Sequence, residues 1–307
     1  MNKKVIVIGG PTASGKTEVS LELANLMSVE IISADSRQVF KYLDIGTAKP
    51  NKEELSAVKH HLIDFLEPDE YYSAGVFGDD AERIISEIYA RNAIPLVVGG
   101  SGLYIDSLCF GLCEDDSNAN DNRFGIREKL NQRLIDFGKD KLYEELMEVD
   151  PVSAQKYADR NPMRIIRALE YFEIHKTPLS TAHRTLTNRN IEPYFFDIAH
   201  EREKLYDRIN YRSEIMWESG LVEETQRVLD MGFPPTLNSL NTVGYKECIA
   251  YLKGDMSKST AIEEMKKNTR RYAKRQTTWF KRYENMVHLS GTPTEMAQKI
   301  IKCFTNK

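Results

Sequence analysis

A glycine-rich motif lies between a β-branched run and a helical segment near the start of the sequence. Residues 10–17 read GPTASGKT and match the G-x-x-x-x-G-K-[ST] pattern of phosphate-binding loops. Residues 5–8 (VIVI) predict a buried strand before the motif, and residues 16–27 predict a helix after it. Such a loop turns backbone N–H groups toward phosphate oxygens at a helix N-terminus, so the motif predicts a site for a di- or triphosphate.

Each residue of the motif has an expected role in that site. Lys16 would supply a mobile cation, and Thr17 would supply a ligand for Mg²⁺. The residues predicted to bind the phosphates are Gly10, Pro11, Thr12, Ala13, Ser14, Gly15, Lys16 and Thr17.

Strand patterns alternate with helical patterns in the first third of the chain. Residues 30–34 and 94–98 predict further strands, and residues 102–108 predict a helix after the second Gly-Gly pair. Residues 194–198 predict a strand that returns to the sheet, followed by helices over 205–231 and 259–283. The predicted fold class is α/β, a parallel sheet like that of P-loop NTPases, with a helical insertion domain.

The length of 307 residues predicts about two domains. The segment at 114–122 (EDDSNANDN) is polar and typical of a linker, and charged helices are predicted after it. We therefore expect a first part of the core at 1–113, a helical insertion at 114–190 and a second part of the core at 191–307, with basic C-terminal helices.

The composition excludes several classes of protein. Hydrophobic residues make up 41% and charged residues 29%, which is typical of a globular chain. No apolar run approaches the length of a membrane span, and the four cysteines include no C-x-x-C pair. We expect a cytoplasmic monomer that has no membrane partner, zinc site or disulfide framework.

Basic residues are concentrated near the C-terminus, although the net charge is −4. Residues 266–282 contain eight Lys or Arg and no acidic residue, which predicts contact with a polyanion. A solvated helix with aromatic side chains in the core is the alternative, and for Trp279 we favour packing. His60 and His61 are expected to be structural, since no third metal ligand is visible.

Asp35 follows the second predicted strand, at the edge of the sheet where the phosphate loop lies. Its carboxylate could bind magnesium or accept a proton there. By pattern alone, an aspartate at a strand end is more often a helix cap or a turn former.

Several longer segments occur in an order that resembles the tRNA dimethylallyltransferase family. They are GGPTASGKT (9–17), ISADSRQVFKYLDIGTAKP (32–50), KHHLID (59–64), PLVVGGSGLY (95–104), RALE (167–170), LYDRINYR (205–212), GLVEE (220–224), TVGYKE (242–247) and RRYAKRQTTWF (270–280). The resemblance implies transfer of a dimethylallyl group from dimethylallyl diphosphate to the exocyclic amine of the tRNA adenosine on the 3′ side of the anticodon. The implied acceptors are tRNAs that read codons beginning with U.

The resemblance also implies roles for individual residues. Asp35 becomes the expected general base, while Arg208 and Arg212 become expected diphosphate ligands. The expected catalytic residues are Asp35, Thr17 and Arg212. The expected tRNA contacts are Asp35, Ser36, Arg37, Gln38, Ser101, Arg123, Met163, Arg164, Ile165, Ile166, Arg167, Leu240, Asn241, Thr242, Val243, Gly244, Tyr245, Lys274 and Arg275.

Other activities fit parts of the sequence. A small-molecule kinase would use the phosphate loop but would leave the remaining segments unexplained. An isopentenyltransferase that acts on free adenine nucleotides would share the chemistry without needing the basic helix or the insertion. A non-catalytic RNA-binding protein would leave Asp35 without a function. By pattern alone, Arg208 and Arg212 could equally belong to a solvated helix face.

Overall fold

The chain divides into two units. The computed structural model describes residues 2–111, 120–182 and 189–306, and only the backbone of 120–124. One unit contains residues 1–111 and 188–307, and the other contains residues 112–187. None of the helices in the described ranges is both long enough and apolar enough to cross a membrane.

The first unit contains a parallel sheet of six strands. In chain order they are β1 (Lys3–Gly9), β2 (Val29–Ser33), β3 (His60–His61), β4 (Ile94–Gly99), β5 (Ile191–Ile198) and β6 (Val287–Leu289). Their spatial order is β3-β2-β4-β1-β5-β6, and Ile6 of β1 lies opposite Leu96 on β4 and Tyr194 on β5. The predicted α/β class is confirmed. The two outermost strands are short and were not predicted from the sequence.

Helices form over the predicted segments 16–27, 102–108 and 259–283, whereas others, such as Lys52–Ala57 and Pro293–Thr305, were not predicted. The helices are α1 (Lys16–Leu26), α2 (Lys52–Ala57), α3 (Ala74–Ala90), α4 (Gly102–Phe110), α5 (Asn120–Val149), α6 (Pro151–Lys156), α7 (Pro162–His175), α8 (Arg202–Glu218), α9 (Leu221–Asp230), α10 (Tyr245–Leu252), α11 (Lys258–Phe280) and α12 (Pro293–Thr305). The helix predicted over 205–231 is in fact two, because Gly220 has a φ of 100° and ends the first helical path.

Two hydrophobic clusters hold the first unit together. All four residues of the VIVI run on β1 are fully buried, and Ile6 and Ile8 pack with α1 and α12 side chains such as Leu23 and Phe304. A second cluster joins residues 39–43 to helices α8 to α11. This second cluster fixes the helices that surround the carboxyl ends of β1 and β2.

The second unit is helical and has its own core. Helix α5 changes direction at Gly138, where φ is 78°. Leu130, Leu146, Ile165 and Ile166 are fully buried in the cluster that joins α5 to α7. Buried Glu170 is paired with two arginines, at 3.3 Å from Arg127 and 2.9 Å from Arg167. Burial of this carboxylate is therefore compensated by charge pairing.

Candidate active site at the phosphate loop

The phosphate loop connects the end of β1 to the start of α1. Gly10 and Gly15 have φ angles of 136° and 91°, which a side chain would disfavour. Ala13 also lies in the left-handed region, with a φ of 64°, at a cost of roughly 1–2 kcal/mol. Lys16 curls back over the loop, and its Nζ donates to the carbonyl oxygens of Gly10 at 3.1 Å and Pro11 at 2.7 Å.

Two arginines from α8 lie against this loop. The Nε of Arg208 donates to the Ala13 carbonyl at 2.8 Å, and the Arg212 guanidinium donates to the Thr12 hydroxyl. Arg208 is also 3.6 Å from Glu18, and nearly half of its side chain is exposed. The spacing of four residues therefore directs both arginines to the loop and not to a solvated helix face.

The electrostatics of the loop favour an anion. Burial and, to a smaller extent, the neighbouring Arg212 charge lower the pKa of Lys16 to about 8, against an opposing effect of Asp35. Burial lowers the pKa of Arg212 as well. Among the described residues, neither Lys16 nor Arg212 forms an ion pair with a carboxylate. Two cations placed together with no paired acid form a site that a polyanion would complete.

A cavity of about 450 Å³ contains these groups. Its walls include residues 12–18, the ends of β2 and β4, and the inner face of α8. The residues that line it are Thr12, Ala13, Ser14, Gly15, Lys16, Thr17, Glu18, Ser20, Ile31, Ser33, Asp35, Gln38, Thr47, Ala48, Pro50, His60, Ile63, Val98, Gly99, Gly100, Arg208, Tyr211, Arg212, Ile215 and Gln276. Phosphate-loop cations, an acidic side chain and apolar surface thus share one space.

Asp35 lies in the cavity wall just beyond β2. Its Oδ1 accepts a hydrogen bond from the Arg37 backbone N–H at 2.9 Å, the geometry of an Asx turn. The half-buried carboxylate therefore forms a turn and also faces the cavity, so the two alternatives drawn from the sequence coexist. In the part of the chain that the structure describes, Oδ2 has no hydrogen-bond partner.

Neighbouring residues of the predicted tRNA-binding segment are engaged within the protein. Gln38 Nε2 donates to the carbonyls of Thr47 at 3.3 Å and Ala48 at 3.0 Å, and its Oε1 accepts from the Ser33 hydroxyl at 2.9 Å. The Ser101 hydroxyl accepts from the Ser36 N–H at 2.9 Å. An RNA contact by Gln38 stays a prediction. It would require these hydrogen bonds of the Gln38 side chain to break.

The structure corrects part of the predicted tRNA surface. Ile165 and Ile166 are fully buried in the core of the second unit, so their side chains cannot contact RNA. Leu240 and Tyr245 are likewise fully buried in the first unit. A helix buries one face along its length, so the residues of a contiguous segment cannot all reach the surface.

Other members of the predicted tRNA surface are accessible. Exposed side chains belong to Met163, Arg164, Asn241, Lys274 and Arg275. Arg37, Arg167, Thr242 and Val243 are half-buried, and the Arg37 guanidinium donates to the Asn238 carbonyl at 2.8 Å. Buried Gly244 is the N-cap of α10. The side chain of Arg123 lies outside the described residues.

Gln276 on α11 supports the phosphate loop and was not predicted. Its Oε1 accepts from the Thr12 N–H at 2.9 Å, and its Nε2 donates to the Gly100 carbonyl at 3.0 Å. The only sequence signal is a polar residue on the inner face of a basic amphipathic helix.

Trp279 lies one turn further along α11 and packs over Gly102. The Arg282 guanidinium lies 3.9 Å from the centroid of the Trp279 ring. This agrees with the expected packing of Trp279.

His60 and His61 are engaged in hydrogen bonds within the protein. His60 Nδ1 is hydrogen-bonded to the Val58 carbonyl at 2.8 Å, and His61 Nε2 to buried Glu30 at 2.7 Å. Within the described ranges, no cluster of three or more His, Cys, Asp or Glu could bind a metal. A magnesium ion bound mainly by substrate phosphates and water needs few protein ligands. The exposed Thr17 hydroxyl in the cavity wall fits that donor set.

A parallel sheet whose first strand leads through such a loop into a helix defines a P-loop α/β protein. Residues 38–283 match the model of the family described as IPP transferase. The chain belongs to this family. It is 43% identical to the tRNA dimethylallyltransferase of Acetivibrio thermocellus over 301 residues, which cover 97% of this chain and 95% of the relative.

Solved structures agree with this assignment. A tRNA delta(2)-isopentenylpyrophosphate transferase from Staphylococcus epidermidis is 38% identical and superposes with a TM-score of 0.72, covering 99% of this chain and all of the other. A eukaryotic dimethylallyltransferase acting on tRNA superposes with a TM-score of 0.78 at 28% identity. That match covers 97% of this chain and 78% of the eukaryotic protein.

Proposed function

We propose that this protein transfers a dimethylallyl group from dimethylallyl diphosphate to the exocyclic N6 amine of the adenosine on the 3′ side of the anticodon. The acceptors would be tRNAs that read codons beginning with U, and the second product would be diphosphate. The observation that carries the proposal is that one cavity contains the cations Lys16 and Arg212 together with the Asp35 carboxylate. The family membership and the names of the relatives support it.

The cationic side of the cavity fits departure of diphosphate. An allylic diphosphate ionises readily, so the protein mainly needs to stabilise the leaving charge and place the nucleophile in line. Lys16, Arg212 and the loop N–H groups would provide that stabilisation. One preorganised donor of this kind contributes roughly 10²–10³ in rate in other enzymes. Arg208, which already contacts the loop, would extend the same surface.

Asp35 fits the role of the base that accepts the amine proton. The exocyclic amine of adenine is a weak nucleophile, so removal of its proton during attack lowers the barrier. Oδ1 is oriented by the Arg37 N–H, and Oδ2 would accept the amine proton. The target adenine must leave the RNA stack to reach the cavity. The free-energy cost of unstacking is small for an adenosine in the anticodon loop.

Thr17 and Mg²⁺ complete the proposed diphosphate site. The ion, when bound, would neutralise charge on the diphosphate oxygens. Thr17 would hold it through the side-chain hydroxyl, while Lys16 and the loop N–H groups bind the remaining oxygens.

The tRNA would bind through basic residues outside the cavity. Lys274 and Arg275 are exposed on α11, where Arg275 also lies 5.7 Å from the Tyr272 ring centroid. Met163 and Arg164 offer an exposed surface at the start of α7 in the second unit. Phosphate contacts of this kind position the RNA, and groups at the cavity would select the base.

The proposal is tested by incubating the protein with Mg²⁺, radiolabelled dimethylallyl diphosphate and one of three acceptors. The acceptors are an unmodified anticodon stem-loop, the same stem-loop with the target adenosine replaced by guanosine, and AMP. Label in the first alone is expected. Label in AMP would move the activity to free nucleotides. Phosphoryl transfer from ATP to a small acceptor, with no label in any of the three, would indicate a kinase.

A further inference from the structure

A buried carboxylate on α9 has no part in the chemistry described so far. Glu224 is 2% exposed and, in the described part of the chain, forms no ion pair. It accepts hydrogen bonds from the backbone N–H groups of Asp44 at 3.1 Å, Ile45 at 2.9 Å and Gly46 at 3.3 Å. It also accepts from the Tyr245 hydroxyl at 2.6 Å. Four donors converge on one side chain, which compensates for burying its charge.

The three N–H groups belong to a segment that also lines the cavity. This segment, residues 44–50, is called the anchored loop here, and it forms neither helix nor strand. Thr47, Ala48 and Pro50 line the same cavity as Lys16. The carbonyls of Thr47 and Ala48 also receive both amide protons of Gln38. The position of the anchored loop therefore determines one wall of the cavity.

The anchored loop is pressed closely against the helices that hold it. A Cβ atom added at Gly46 would overlap the Tyr245 ring and lie 2.9 Å from Leu221 Cδ1. Because Tyr245 and Leu221 belong to a buried cluster, they have little room to move aside. The loop can approach Glu224 this closely only with glycine at position 46.

We propose that Glu224, supported by Tyr245, is a positioning residue for the dimethylallyl diphosphate side of the cavity. Its carboxylate fixes the anchored loop, and the loop in turn places Thr47, Ala48 and Pro50 around the donor substrate. This inference rests on the proposed function for the identity of that substrate. A cavity wall that moves away from a bound molecule loses its contacts with that molecule. Loss of Glu224 should therefore weaken donor binding more than tRNA binding.

Glu224→Gln is the first variant because it keeps the size of the side chain. Both carboxylate oxygens accept at least two hydrogen bonds, so the amide nitrogen at either position would face N–H donors. Gly46→Ala displaces the loop by a different route and leaves the carboxylate intact. The control is Glu223→Gln, since Glu223 is exposed on the same helix and makes none of these contacts.

Three measurements test the inference: amide hydrogen exchange over residues 44–46, the Kd of dimethylallyl diphosphate by calorimetry, and the Kd of the anticodon stem-loop. Glu224→Gln and Gly46→Ala should accelerate exchange and raise the Kd of dimethylallyl diphosphate about tenfold, the effect of losing about one hydrogen bond to the donor. Stem-loop affinity should fall less than donor affinity, since the anchored loop holds Gln38 among the predicted RNA contacts, and Glu223→Gln should match wild type throughout.

Several outcomes would overturn the inference. Unchanged exchange in Glu224→Gln would show that the carboxylate does not fix the loop. Faster exchange with unchanged donor Kd would show that the loop does not shape the donor site. Donor binding is measured directly, so a wild-type protein that binds the donor but fails to modify the stem-loop would refute the proposed function alone. A wild-type protein that does not bind the donor would refute both.

Discussion

The reactivity of the free enzyme should fall as the pH rises through about 8, because Lys16 loses its charge there. Burial and the Arg212 charge hold the pKa of Lys16 at about 8, against 10.5 for an unperturbed lysine. About nine-tenths of the lysine is then charged at pH 7 and about one-tenth at pH 9. If only the charged form binds the diphosphate productively, kcat/KM for dimethylallyl diphosphate should fall about tenfold between these values.

Few other groups in the cavity region change charge over that interval. Burial raises the pKa of Tyr272 to about 12, so this phenol stays neutral. Arginines stay charged throughout, and a phosphate completes its last ionisation near pH 6. The inflection should therefore report Lys16, because kcat/KM reflects the ionisation of the free enzyme.

The assay measures initial rates of label transfer to the stem-loop at low donor concentration, from pH 6.5 to 9. Lys16→Arg keeps a cation at every pH, and Lys16→Met removes the titrating group. Both variants should be less active than wild type and should show no inflection near pH 8. A wild-type profile that stays flat to pH 9, or an unchanged inflection in Lys16→Met, would refute the assignment.

Further predictions concern the base, the RNA surface and the fold. Asp35→Ala should lower kcat by about 10²–10⁴ while the Kd of the stem-loop changes little, and a fully active variant would remove Asp35 as the base. Lys274→Ala with Arg275→Ala should reduce the slope of log K against log salt by about 1–2, as measured by filter binding. Buried Glu30 has a pKa lowered to about 2 by hydrogen bonds from Arg91 and His61, so its ionised form stabilises the fold above the unfolded-state pKa of 4.5. The difference in free energy of unfolding between wild type and Glu30→Gln, measured by urea denaturation, should be constant above pH 5 and shrink as the pH falls toward 2. A difference that grows in acid would contradict that assignment.

The parts of the site that are local in sequence were predictable. The phosphate loop and its flanking strand and helix lie within 24 residues, so motif and hydrophobic pattern were sufficient. The place of Asp35 at the edge of the sheet followed from the strand before it, but its expected role as the base came from the resemblance to a family. For the two arginines of α8, diphosphate binding was expected only from the resemblance of the sequence to a family, because their helical spacing fits a solvated face equally well.

The parts that depend on distant pairing were not predictable. Gln276 contacts Thr12 across 264 positions, and Glu224 contacts Ile45 across 179. Neither residue belongs to a pattern that predicts its partner. Strand β3 has only two residues, too few for a strand period to be recognised. Ile165 and Ile166 were misassigned because a contiguous segment was taken over whole, although the apolar stripe of α7 points inward.

The position of β1 at the centre of the sheet governs the order in which a nascent chain can acquire its structure. Strand β4 can pair with β1 once about 100 residues have left the ribosome, but β5 follows only after the entire helical unit. Until then one side of β1 is an open edge. Gln276 is synthesised later still, so the phosphate loop, which is synthesised early, gains its hydrogen bond to Gln276 only near the end of synthesis. Contacts of such long sequence separation slow folding and leave partly folded chains prone to aggregate, which makes this enzyme a candidate for chaperone assistance during synthesis.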